Sequence, residues 1–331
     1  MGPRRPDRRA RKFQPHSRPR PAFNRQGASM TISATMVRDL REKTGAGIME
    51  CKAALAEASG DMEKAVEVLR KRGLKTAEKK AGRTAADGLV AAWVSPGRNV
   101  GALVEVNCET DFVARTDQFA SLTQSLVALV GADKAASDVE ALLTGSLSNK
   151  PVADVVKETI GSLGENIVVR RAARRALPET AKGVITSYLH AGGKIGVLVE
   201  IRCTSDRVAK SEELAHLAKE LALQVCSAEP AYMTRDQVPA QILDKEREIL
   251  RAQPDVQGKP AAIQDKIIQG RLEKFFIERC LVDQAFIKDP EGKQKVRDVL
   301  KAAEKSLGEA ITVAGFHRFR LGEGIERRAA D

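Results

Sequence analysis

Fifteen residues, GALVEVNCETDFVAR from Gly101 to Arg115, return 95 residues later as GVLVEIRCTSDRVAK from Gly196 to Lys210. Over the thirty positions from Gly101 to Val130, set against Gly196 to Val225, twelve are identical without a gap. An internal duplication constrains the fold strongly, because whatever unit one copy builds the other must build as well. Each copy reads as a buried strand, with Leu103, Val104 and Val106 in the first, running into a helical pattern through Phe119, Leu122 and Leu126. Thr110 stands where that helix needs an N-cap.

The two copies act as controls on each other. Gly101 and Gly196, Leu103 and Leu198, Glu105 and Glu200, Cys108 and Cys203, Asp111 and Asp206, and Val113 and Val208 are shared, and shared positions are most simply what the fold needs. Phe112 is not shared, since Arg207 takes its place in the second copy. Arginine is a poor replacement for a core phenylalanine, so the position reads as exposed, and an exposed aromatic on a corner points to a contact with a partner. For Asp111 the twin argues a structural role at least in part.

The duplication begins at Asp87, where DGLVAAWVSPGRNVGALVEV matches KGVITSYLHAGGKIGVLVEI from Lys182 at the same offset. Each stretch predicts a hairpin, with turns at Ser95 to Asn99 and His190 to Lys194. A further pair, VADVVKETIGSLGENIVV from Val152 and VRDVLKAAEKSLGEAITV from Val296, shares ten of eighteen positions at an offset of 144. The second copy therefore holds 49 extra residues between Val225 and Val296, the difference between the two offsets. Those residues carry two amphipathic patterns, Val238, Ile242, Glu246, Ile249 and Leu250, then Ile263, Ile267, Ile268, Leu272 and Phe275. A breaker-rich turn with Pro254, Gly258 and Pro260 joins them, which predicts an antiparallel helical hairpin.

Ahead of the core, Thr31 to Gly73 shows three short helical patterns ending near Gly45, Gly60 and Gly73, the third capped by Asp61. A lysine-rich linker is expected from Leu74 to Arg83. The fold class predicted is α+β: a three-helix module, then an internally duplicated α+β core with a helical hairpin inserted in its second copy. The expected divisions are an extension at 1–29, the module and linker at 30–83, a first core half at 84–178, and a second at 179–331 with its insertion at about 229–281.

The net charge of +11 invites a nucleic-acid reading, but nine of the Lys and Arg residues and one acid lie in Met1 to Ser29, leaving +3 for the rest. Four per cent aromatics, with no basic-aromatic alternation, offers little for base stacking. The Arg- and Pro-rich tail itself reads as disordered. A polyanion-binding arm, a targeting peptide, and translation that begins at Met30 all compete to explain it; proline density counts against an amphipathic targeting helix and favours a solvated extension or a start-site artefact. The longest apolar runs are short and interrupted by charge, so no membrane span is expected. Five cysteines, Cys51, Cys108, Cys203, Cys226 and Cys280, lack metal-ligand spacing and read as small buried hydrophobes in a reducing, cytoplasmic compartment. No phosphate-binding glycine loop, paired-cysteine motif or His-Glu-x-x-His occurs, and the four histidines at 16, 190, 216 and 317 are scattered. No cofactor and no bound metal are expected. A duplicated scaffold with varied corners reads as a binding protein.

LREKTGAGIMECKAAL (Leu40 to Leu55), VNCETDFVAR (Val106 to Arg115), SYLHAGGKIGVL (Ser187 to Leu198) and GEGIE (Gly322 to Glu326) together closely resemble bacterial translation elongation factor Ts, in the right order from Met30 to Arg327. The resemblance implies a guanine nucleotide exchange factor, without covalent catalysis, for the GTPase elongation factor Tu. It also implies a ubiquitin-associated-like module and a coiled-coil hairpin. By the same resemblance Thr110, Asp111, Phe112 and Val113 match the segment that intrudes beside the GTPase's magnesium site. Arg41, Ile48, Met49 and Lys52 match contacts of the module with the nucleotide-binding domain, and His190 matches a contact from the second hairpin turn. Ile48 departs from the family, where many members have methionine. The chain stops at Asp331, so no contact is expected from the further C-terminal helix of some members. Rival readings are a nucleic-acid-binding protein acting through residues 1–29, for which weak polyanion binding is the expectation, an adaptor for ubiquitin-like proteins, and an enzyme.

Overall fold

A computed structural model describes Gly2 and residues 32–326, apart from 135 and 137. The expectation of disorder for 1–29 falls, Gly2 aside, outside the described residues. Three helices come first, α1 (Ala34–Thr44), α2 (Ile48–Glu57) and α3 (Met62–Lys80). The side chains of Ser33 and Asp61 accept hydrogen bonds from the first free N–H groups of α1 and α3, and Gly45 closes α1 in the left-handed conformation at φ 69°. Leu40, Cys51, Ala54, Leu55 and Ala65 form a small core among the three helices. The helix expected to stop at Gly73 instead runs on to Lys80, so most of the expected linker is helical. Gly73 sits within the helix rather than at its end, and the close packing there requires the glycine opposite: a Cβ on Gly161, in a later helix, would lie only 2.5 Å from Gly73 Cα.

The first copy then runs β1 (Asp87–Val94), β2 (Val100–Cys108), α4 (Asp111–Ala114), α5 (Asp117–Ala132), α6 (Val139–Thr144), the two-residue strands β3 (Ser146–Leu147) and β4 (Lys150–Pro151), α7 (Val152–Leu163) and β5 (Ile167–Ala176). The second runs β6 (Lys182–His190), β7 (Ile195–Cys203), α8 (Asp206–Ala209), α9 (Glu212–Ala228), α10 (Ala240–Arg251), α11 (Ala261–Arg279), α12 (Val296–Leu307) and β8 (Thr312–Arg320). Two three-stranded antiparallel sheets result, ordered β1-β2-β5 and β6-β7-β8, beside the short β3-β4 pair. Their registers break at Glu105/Val106 and at Glu200/Ile201, so the bulge is duplicated along with the residues. With helices on one side of each antiparallel sheet, the fold is α+β, as expected.

On its helical face each sheet has a core, including Val104, Val106, Phe119, Leu126 and Val130 in the first copy and Val199, Ile201, Leu214, Leu221 and Val225 in the second. Fully burying a side chain of this size contributes about 1.5–3 kcal/mol. The opposite faces meet each other through Val90, Leu103, Ala173, Ile185, Leu198 and Phe319. Gly101 and Gly196 permit this approach, because a Cβ on either would lie 2.6 Å from Ile185 Cγ2 or 2.5 Å from Val90 Cγ1 respectively. The contact is reciprocal: Val90 N–H donates to the Gly193 carbonyl at 2.8 Å, and Ile185 N–H donates to the Arg98 carbonyl at 2.7 Å. Val90 and Ile185, like Arg98 and Gly193, are 95 residues apart, so the halves meet as two subunits of a symmetric dimer would.

The insertion forms α10 and α11 with a core of Leu250, Val256, Ile268 and Leu272, flanked by Leu243, Ile267 and Phe276. Ile242, Ile249 and Ile263, expected in the packed stripes, are exposed, because Leu243 and Leu250, one residue on from two of them, supply the inward positions of α10. Arg235 ties the base of the hairpin to the core with ion pairs to buried Asp283 at 3.0 Å and to Glu273 at 2.8 Å, and stacks on Phe276. Among the described residues no helix is long and apolar enough to cross a membrane.

Candidate functional site

The corner after β2 is held from several directions. Thr110 is extended (φ −130°, ψ 157°), and its hydroxyl both accepts from Val113 N–H and donates to Glu165 at 2.6 Å. Its backbone N–H donates to the other oxygen of Glu165 at 3.0 Å. The Cys108 thiol donates to the Thr110 carbonyl at 3.1 Å, and burial pushes its pKa up to about 12, which keeps the donor proton in place. Next door, the Glu109 carboxylate accepts from Asn166 N–H at 2.7 Å. Val113 and Ala114 are buried beneath the turn.

What the corner presents outward is therefore narrow. Phe112 is 79% exposed. Asp111 is half-exposed and reaches Arg115, one turn on, at 2.7 Å. Thr110 and Val113 serve the corner itself, one as cap and one as core, so of these four residues only Asp111 and Phe112 are turned outward. Sequence reading assigned no role to Glu165, although its signal was present in the SLGE block repeated at Ser162–Glu165 and Ser306–Glu309.

In the second copy Ser205 caps with Val208 N–H and donates to Glu309 at 2.8 Å, and the Cys203 thiol donates to the Ser205 carbonyl at 3.4 Å. The same frame carries a different tip. Arg207 folds back, donating to the Leu307 carbonyl at 2.8 Å, whereas Phe112 stands clear.

Two further surfaces hold the remaining candidates. Arg41, at the end of α1, and Ile48 and Lys52, one helical turn apart on α2, line a cavity of about 380 Å³ together with Ile32, Ala34, Val37 and Arg38. Met49 is 73% exposed and outside that lining, so it does not belong to the module's core. His190 ends β6, exposed, with Nδ1 3.2 Å from the Tyr188 hydroxyl and Leu189 exposed beside it. Neither Phe112 nor His190 lines the cavity on the module. The candidates thus make three surfaces, of which only the module's collects several of them into one hollow.

Chemically this is a set of contact surfaces. Each of the five thiols is buried and pushed above its usual range by that burial, so none supplies a thiolate nucleophile near neutral pH. Among the described residues no cluster of His, Cys, Asp and Glu could hold a metal ion.

Comparison with known proteins places the chain against named relatives. A family model described as Elongation factor TS matches residues 109–323. The chain is 45% identical over 301 residues to Elongation factor Ts of Nostoc punctiforme, covering 90% of this chain and 94% of the relative. It is 44% identical over 302 residues to the protein of the same name from Clostridium botulinum, strain ATCC 19397, with 91% and 95% covered. The Clostridium perfringens strain SM101 protein of that name is 45% identical over 298 residues, with 90% and 95% covered.

Proposed function

The chain belongs to the elongation factor Ts family, and on that premise we propose that it binds the GTPase elongation factor Tu in its GDP form and promotes GDP release by disturbing the magnesium and phosphate site, so that GTP can load. In this reading the three helices are a ubiquitin-associated-like module, and α10 and α11 form a coiled coil. The division falls at 30–83, 84–178 and 179–331, and the factor works in the cytoplasm.

One observation carries the proposal: a phenylalanine 79% exposed on a braced corner, at a position where the twin corner folds its arginine back. Magnesium demands near-octahedral oxygen ligation and holds a nucleotide through few protein groups, so a small displacement of those groups loosens it. Phe112 enters an apolar gap on the GTPase while Asp111 acts on polar contacts around the metal. Burying one phenylalanine yields about 1.5–3 kcal/mol, whereas a thousandfold faster release needs about 4 kcal/mol off the barrier. The wedge therefore needs help, and the faces of Arg41, Ile48, Met49, Lys52 and His190 supply it by binding the nucleotide-free state more tightly. By linkage, nucleotide weakens the factor's own binding to the same extent.

Release of labelled GDP from elongation factor Tu, with and without the protein, tests this. Phe112→Ala is expected to slow stimulated release about 10- to 150-fold, the kinetic equivalent of the ring's burial. Its unfolding midpoint should match the parent's, because the ring makes little contact with its own domain. Equal release by mutant and parent would end the wedge.

A further inference from the structure

Helix α7 touches both the three-helix module and the Phe112 corner. Just past its C-cap Gly164, Glu165 holds Thr110 through two hydrogen bonds, at 2.6 and 3.0 Å. Along its length it holds the module. The Ser162 hydroxyl donates to the Gly45 carbonyl at 2.8 Å, and Gly45 is the turn between α1, which carries Arg41, and α2, which carries Ile48, Met49 and Lys52. Gly161 lies against Gly73 of α3, backbone to backbone, with no room for a Cβ. Arg70 of α3 pairs with Asp154 at 3.1 Å and with Glu158 at 3.2 Å.

The duplication supplies a control here as well. Helix α12 is the counterpart of α7, it too is followed by an acid, Glu309, that reaches its corner, and among the described residues none of α1 to α3 packs substantially on it. At the offset of 144 the counterpart of Gly161 is Lys305, and that of Glu158 is Ala302. The copy that has only a corner to brace keeps the acid at the helix end and has neither the bare backbone nor the second carboxylate. Those two features belong to carrying the module.

We propose that α7 is a spacer that fixes the module's contact face relative to the Phe112 corner, and that Gly161, supported by the Arg70 ion pairs, is the positioning residue for nucleotide exchange. The inference rests on the function proposed above. Two contact faces held at one separation reach a single GTPase together, and the second contact then forms at a high effective concentration. Let the module swing, and each face must find its place alone.

Gly161→Lys tests this, since lysine is what the equivalent helix already accommodates. The five native cysteines are buried, so dyes can be placed on Glu63→Cys in the module and Glu140→Cys in the core. The distance between dyes is expected to lengthen and broaden in Gly161→Lys. The concentration of factor that half-saturates GDP release should rise at least tenfold, with a smaller drop in the maximal rate, which the intact corner sets. Arg70→Glu, on the surface and safe for folding, should shift both readouts in the same direction, and adding Asp154→Arg and Glu158→Arg should restore them. An unchanged dye distance in Gly161→Lys overturns the proposal, as does a dose curve that coincides with the parent's once the module is displaced. If the parent itself does not speed GDP release, the exchange reading fails, while the dye distances still decide whether Gly161 seats the module.

Discussion

Asp111 could have served its helix or a partner, and its bonds separate the two roles. The cap is Thr110, which satisfies Val113 N–H, so the carboxylate of Asp111 is not needed there. It pairs instead with Arg115, whose side chain is 77% exposed, while its twin Asp206 pairs with Lys182 at 3.1 Å. Exposed pairs of this kind, even with the helix dipole included, are worth under about 1 kcal/mol. Asp111→Asn keeps the shape and removes the charge, so its urea midpoint should stay close to the parent's. Against that background, stimulated GDP release should fall several-fold. A mutant that releases GDP like the parent would leave Asp111 with only its bond to Arg115.

At the scale of elements, the strand–corner–helix unit was legible because it occurs twice, and its bulge, cap, thiol and SLGE acid all recur at fixed offsets. Phe112 was legible by the same comparison, because the second copy has Arg207 at its place. Other features were hidden for physical reasons. A glycine near a helix end looks like a stop, yet Gly73 is a packing surface whose partner lies 88 residues away, beyond the reach of any local pattern. In α10, neighbouring Ile242 and Leu243 fit a helical stripe equally well, and only the partner helix decides which one is covered. Glu105 and Glu200 were recognisable as fold residues but not as buried charges. Glu105 is fully buried in β2, bonded to Arg170 at 3.0 Å, to Arg171 at 2.5 Å and to the Gly322 N–H at 2.8 Å, so the GEGIE stretch closes back onto the first sheet. Glu105→Ala would take the buried carboxylate from Arg170, Arg171 and the Gly322 N–H, leaving the two guanidinium groups only their bonds to Glu323 and the Arg320 carbonyl. A loss of about 3–5 kcal/mol is expected, read from denaturant unfolding of the full chain. A cost below 1 kcal/mol would mean that solvent reaches those groups once the carboxylate is gone.

For the whole molecule, the seam between the halves is symmetric in backbone and asymmetric in chemistry. Arg171 and Gly315 are equivalent positions at the offset of 144, as are Arg175 and Phe319. Across the seam Arg171 stacks over the Phe319 ring with 4.4 Å to its centroid, while Arg175 fills the room that Gly315 leaves and reaches Glu200 at 3.0 Å. Filling both sites alike would have set arginine against arginine; the duplicated halves have diverged to fit each other rather than themselves. One consequence is a pH response. His317, in β8 beside this seam, is lowered from 6.5 to about 4, chiefly by burial and secondarily by the Arg175 charge. The folded state therefore holds the ring neutral where the unfolded chain would protonate it, and the unfolded state binds more protons between those two values. Stability contributed by His317 is complete above pH 6.5, declines as pH falls towards 4, and levels off below that. The slope from one such site is at most about 1.4 kcal/mol per pH unit. Asp61, Asp289 and Glu309 are held low by hydrogen bonds from Lys64 N–H, Gln294 N–H and the Thr204 hydroxyl respectively, and their losses begin near 3.8 to 4.5, so they overlap the His317 window only at its acid end. Urea midpoints measured from pH 7.5 down to 4.5 should fall for the parent and stay flatter for His317→Gln. Parallel curves for the two proteins would show that the imidazole takes up its proton in the folded state without cost, and that the seam is open to water.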